Sequence, residues 1–151
     1  MLGRSIAIGM FALMVLSMVP SVHADDTQAS SNLLTDGVSS NGYVCDPDGC
    51  SPNDGTDWWR IYAYKGDIVS IAFSGSMSNA AWWCPGDGWE GDYSMHDESG
   101  SQVATMGRSD DNPSGTLSKT MSQAGYVYVK IKGKNSWCND GFDYTLLASI
   151  D

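Results

Sequence analysis

Apolar and polar positions alternate with a period of two over most of the chain beyond residue 56. Between Asp57 and Gly75, Trp59, Ile61 and Ala63 share one side of a first extended run. Val69, Ile71 and Phe73 share one side of a second, and Lys65-Gly66-Asp67 joins the two. Successive side chains of a strand point to opposite faces, so the stretch predicts a β-hairpin with one face for a core and Arg60 and Ser70 outside. The rhythm recurs in Asp92 to Asp97, a Glu98-Ser99-Gly100 turn and Ser101 to Met106, with Tyr93, Met95 and Val103 as core positions. Gly115 to Met121 leads through a turn at Ser122 to Gly125 into the clearest alternation, where Val127, Val129 and Ile131 face inward. Tyr126, Tyr128, Lys130 and Lys132 face outward. Phe142 to Ile150 closes the series, with Tyr144, Leu146, Ala148 and Ile150 on one side. About seven to eight short strands with glycine-rich connections predict an all-β antiparallel β-sandwich.

The N-terminus follows a different pattern. Arg4, an apolar run from Ile6 to Val19, Pro20 and Val22-His23-Ala24 read as a secretory signal peptide over residues 1–24. An uncleaved anchor would need about 20 apolar residues, more than this run supplies, so no membrane insertion is expected after cleavage. Residues 25–41 are polar and predict a flexible leader in which Leu33-Leu34 could pack as a short edge, and 42–151 predict one domain. The expected location is secreted or periplasmic.

A formal charge of −10, from 18 acids against 8 Lys and Arg, argues against nucleic-acid and anionic-membrane partners. Only Glu90 and Glu98 among the acids are glutamates, so the acidity belongs to turns. The four cysteines, an even number in an exported chain, imply disulfides. Cys45 and Cys50 flank a Pro-Asp-Gly turn, which leaves Cys84 for Cys138. On a chain-entropy model the short loop contributes about 2 kcal/mol and the long one about 4 kcal/mol. Zinc is disfavoured, because the mature chain has only His96 and no repeated Cys-x-x-Cys spacing.

Strand parity puts the short turns at 65–66, 99–100 and 124–125 at one end of a sandwich. The connections 45–57, 75–91, 107–114 and 133–141 fall at the other. That second end would gather Trp82, Trp83, Trp89 and Trp137, whose flat faces suit sugar rings or aromatic and proline side chains; the alternative is a loop-end mini-core against the disulfides. It would also gather Asp46, Asp48, Asp54 and Asp57, candidate calcium ligands because calcium takes six or more oxygens from adjacent loops. Solubility is the alternative account of those acids. Catalysis is disfavoured: His96 reads as a surface or edge residue rather than a base, no pair of carboxylates is fixed across a cleft, and Gly86-Asp87-Gly88 lacks the context of a phosphate loop.

Four motifs in series carry a family resemblance. Asp57-Trp58-Trp59 followed by Gly66-Asp67, Asp92 to Gly100, Gly125 to Gly133, and Tyr144-Thr145-Leu146 together resemble the bacterial pre-peptidase C-terminal domain, from about Val38 to the end. The cysteines and the tryptophan-rich loop are additions to that pattern. The resemblance implies a jelly-roll-like sandwich with a non-catalytic binding or accessory role, in a family whose members include binders of calcium, collagen or polysaccharide. The expected function is a secreted module for a polysaccharide or an extracellular protein, stabilised by calcium if the acids hold it. The alternative is a structural or cell-surface protein with no small ligand.

Overall fold

The alternating segments form strands at nearly the positions their periodicity predicts, but they are distributed between two sheets. The computed structural model describes residues 27–44, 55–77, 89–109, 111–134 and 141–151. Within them lie a 3-10 turn at Gln28–Ser30 and nine strands: β1 (Asn32–Leu33), β2 (Ser39–Val44), β3 (Thr56–Ala63), β4 (Ile68–Met77), β5 (Glu90–His96), β6 (Gln102–Ser109), β7 (Ser114–Thr120), β8 (Gly125–Gly133) and β9 (Phe142–Ile150). One sheet has the order β1-β3-β8-β5-β6 and the other β2-β9-β4-β7. All pairings are antiparallel except the two-residue β1–β3 contact.

The stretch from Asp57 to Gly75 is not a hairpin. β3 belongs to the five-stranded sheet and β4 to the four-stranded one, so their apolar sides oppose each other across the core. Alternation specifies which side chains point inward, but it is the same for a strand lying beside its predecessor and one lying opposite. The turn itself arches between the sheets: Asp67 Oδ2 accepts the Tyr64 N–H at 2.8 Å, Gly66 sits at φ 97°, and the Gly66 N–H donates to the Met121 carbonyl at 2.9 Å. β7 and β8 are likewise in opposite sheets. Among the described strands only β5 and β6, joined at Asp97–Gly100, are consecutive in one sheet.

Two further expectations change. A bulge between Met95 and His96 shifts the β5–β6 register, and Val103 turns outward with 42% exposure instead of entering the core. The segment expected to be a flexible leader carries structure from residue 27 on. Asn32–Leu33 adds to the edge of β3, Leu34 is buried with its N–H on the Arg60 carbonyl at 2.7 Å, and β2 begins at Ser39 and pairs with β9.

The core is an apolar layer between the sheets. Trp59, Ile61, Val127, Val129 and Ile131 close it from one side, and Val69, Ile71, Leu146 and Ala148 from the other. At its centre the Phe73 ring meets Tyr93 at 5.4 Å, Tyr144 at 6.0 Å, Trp89 at 6.1 Å and Phe142 at 6.3 Å, while Trp89 stacks on Phe142 at 4.4 Å. Two glycines make room for these rings. A Cβ at Gly75 would lie 2.6 Å from Trp89, and one at Gly91 2.6 Å from Phe142. Phe73→Ala should therefore lower the unfolding free energy by about 3–5 kcal/mol, read from urea denaturation midpoints at unchanged slope.

Candidate binding face

The outward side chains of β3 and β8 interleave because the two strands are neighbours. Their register pairs Trp58 with Lys130, Arg60 with Tyr128 and Tyr62 with Tyr126. Each cation therefore stands opposite an aromatic ring. The Lys130 ammonium lies 5.2 Å from the Trp58 ring centroid, and the Arg60 guanidinium 5.2 Å from that of Tyr126, both within cation–π range. The rings also touch one another: Tyr64–Tyr62 at 5.4 Å, Tyr62–Tyr126 at 5.2 Å and Tyr126–Tyr128 at 6.1 Å. From Trp58 to Tyr64 the strip runs roughly 20 Å at the rise of a strand. Tyr62 is 43% and Tyr64 67% exposed.

Next to the strip, the outward side of β5 is buried in its second half. Ser94 and His96 are 5% and 8% exposed, and the Trp58 ring lies 5.0 Å from the His96 ring. The expectation that His96 is a surface or edge residue fails because Trp58 on the second strand over covers it. The Gly100 carbonyl, 3.1 Å from Nδ1, can only accept, so in the neutral ring Nδ1 carries the proton. Nε2 then accepts the Ser94 hydroxyl at 2.9 Å. The pairing is that of a hydroxyl and a base, but with both side chains over nine-tenths buried its effect is to fix the His96 ring beneath Trp58.

Across the interior, Asp57 closes a cross-sheet relay. The Trp59 Nε1–H donates to the Tyr144 hydroxyl at 2.8 Å, and that hydroxyl donates to Asp57 Oδ2. Asp57 is 1% exposed on the inward side of β3, so its carboxylate belongs to the core and not to the turn segment in which the sequence places it. Tyr93 gives its hydroxyl to the Ile71 carbonyl at 2.7 Å, and burial pushes its pKa up, which keeps the donor protonated.

This arrangement of strands has a solved counterpart. The pre-peptidase C-terminal domain of a collagenase from Bacillus anthracis superposes with a TM-score of 0.52, covering 78% of this chain and 93% of that one at 15% identity. The fold is that of a pre-peptidase C-terminal domain. No family model matches the sequence, and no curated protein does either.

On this pre-peptidase C-terminal fold the expected site residues separate. Trp89 is 1% exposed within the aromatic core, so it is no platform. Trp82, Trp83, Trp137, Asp46, Asp48, Asp54, Cys45, Cys50, Cys84 and Cys138 lie outside the described residues. Among the described residues no group of three or more His, Cys, Asp or Glu could hold a metal. Nothing in the sequence alone marks Trp58, Tyr62 and Tyr128 as binding residues. The outward parity of Tyr126 to Lys132 was legible, but the β3–β8 adjacency that makes it a surface was not.

The turn below the strip depends on Asp97. Its Oδ1 accepts the Ser99 hydroxyl at 2.6 Å and the Ser99 and Ser101 N–H groups at 2.9 and 3.0 Å, positioning the Gly100 carbonyl that anchors His96. The Ser99 hydroxyl, with those N–H groups, holds the Asp97 carboxyl below its usual 3.8. A carboxyl depressed on folding stabilises the folded state above its unfolded value and loses that effect as pH falls through the folded one. Asp97→Ala should thus lower the melting temperature at neutral pH, and the gap to wild type should narrow as thermal melts are taken below pH 3.8.

Proposed function

We propose that this protein is an exported, non-catalytic module that binds an extended polymer, a polysaccharide or an extracellular protein, on the outer face of its five-stranded sheet. One observation carries the reading: a row of mutually touching aromatic rings, Tyr64, Tyr62, Tyr126 and Tyr128, lies on a sheet face rather than in a closed cavity. Successive rings meet at 86°, 77° and 48°, so the strip offers edges and faces by turns, and such a row suits a ligand that repeats along its length and meets a ring at each unit. The fold likeness to a domain from a collagenase supports an accessory role. The signal-like residues 1–24 support export, and among the described residues no helix is long and apolar enough to cross a membrane.

Tyr62 and Tyr128 are the residues to alter, since neither contributes to the buried layer. Tyr62→Ala and Tyr128→Ala should leave the unfolding midpoint nearly unchanged. Each should weaken retention on an insoluble polysaccharide or on fibrous collagen about ten-fold, equivalent to about 1.4 kcal/mol. A wild-type protein retained by none of these polymers would leave the structural, ligand-free reading.

A further inference from the structure

We infer that the polymer is an anionic glycan, one whose sugar rings carry carboxylates or sulfates; this rests on the binding-face reading above. The chain as a whole is acid-rich, with 18 Asp and Glu against 8 Lys and Arg. The outward positions of the two central strands of the face invert that balance: Trp58, Arg60 and Tyr62 on β3, and Tyr126, Tyr128, Lys130 and Lys132 on β8, include three cations and no acid. The opposite outer surface shows no such enrichment. There the outward residues of β4, β7 and β9 are largely Ser and Thr, with Ile68, Ala72, Leu147 and one charged side chain, Asp143.

Two of the three cations are held beside rings. Arg60 and Lys130 lie over Tyr126 and Trp58, and none of Arg60, Lys130 and Lys132 forms an ion pair with a carboxylate among the described residues. Arg60 Nε is buried without a hydrogen-bond partner. Of the acids on this side, Asp92 stands across from Lys132 in the β5–β8 register and lies 3.1 Å from Lys134, Glu90 is the next outward position on β5, and Glu98 receives the Tyr126 N–H at 2.8 Å at the turn end, so Arg60 and Lys130, across from Tyr128, Trp58 and Ser94, are the cations with no acid facing them. An uncharged sugar uses the rings alone. A uronate or sulfated sugar uses the rings for its apolar face and the adjacent ammonium or guanidinium groups for its anionic substituent, in charge-assisted hydrogen bonds. The net negative charge elsewhere is screened beyond about 8 Å at physiological ionic strength, so the local field of the strip governs contact.

The test uses the full mature chain and three immobilised probes: alginate for carboxylates, dextran sulfate for sulfates and cellulose as the neutral control. Retention on alginate or dextran sulfate at least ten-fold above cellulose is expected, and the better of the two identifies the substituent. Lys130→Gln with Lys132→Gln should abolish that preference at an unchanged melting temperature, while Lys130→Arg with Lys132→Arg should keep it. Equal retention on cellulose, undisturbed by the glutamine pair, would overturn the anionic assignment and leave the binding module standing. No retention on any of the three would overturn the anionic assignment, and the binding module would fall with it only if fibrous collagen also failed to retain the protein.

Discussion

The ring of Phe73 is the contact on which the two sheets depend. It is extended from β4 into the middle of the sandwich, where it meets Tyr93 on β5, Trp89 just before it, and Phe142 and Tyr144 on β9. Aromatic side chains bury more area than aliphatic ones and impose preferred angles on their neighbours, so a cluster of five sets both the spacing and the relative rotation of the layers. Gly75 and Gly91 follow from it, since a side chain at either position would occupy space taken by Trp89 or Phe142. The relay from Trp59 through Tyr144 to Asp57 adds a polar tie between the same sheets, joining β3 to β9.

Much of this was legible in the order of residues, and what was not has identifiable causes. The inward parity of Trp59, Ile61, Val69, Ile71, Val127, Val129, Ile131 and Leu146 could be read directly, because burial on one side of a strand imposes a period of two. Sheet membership could not, because the Tyr64–Asp67 arch and a hairpin turn share the same Gly-Asp chemistry. Val103 was displaced by a bulge whose origin lies in the pairing of two strands. Trp89 stood in a glycine-rich neighbourhood that suggested a loop, whereas its partners Phe73 and Phe142 come from elsewhere in the chain. The binding strip was hidden for the same reason: its two halves are separated by over sixty positions in sequence and become one surface only through the β3–β8 ladder.

The two outer faces of the sandwich differ in kind. One carries rings and cations; the other is rich in short hydroxyl side chains, such as Ser70 against Ser118 at 2.9 Å and Thr145 against Asn41 at 2.7 Å. Both sheets present the same inward apolar pattern to the shared core, so the fold itself places no demand on which face is which. The difference resides entirely in the residues between the core positions, where substitution leaves the buried layer untouched.

The position of β9 has a kinetic consequence. β9 is internal to its sheet, hydrogen-bonded to β2 on one side and β4 on the other, with Ser39 facing Leu147 and Val69 facing Ile150. Without β9, β2 has no partner and the β4–β7 pair has one open edge, so the four-stranded sheet cannot close before β9 docks. Pairings this distant in sequence also make closure slow. Losing β9 would remove the middle of a sheet, where losing β1 would only trim an edge.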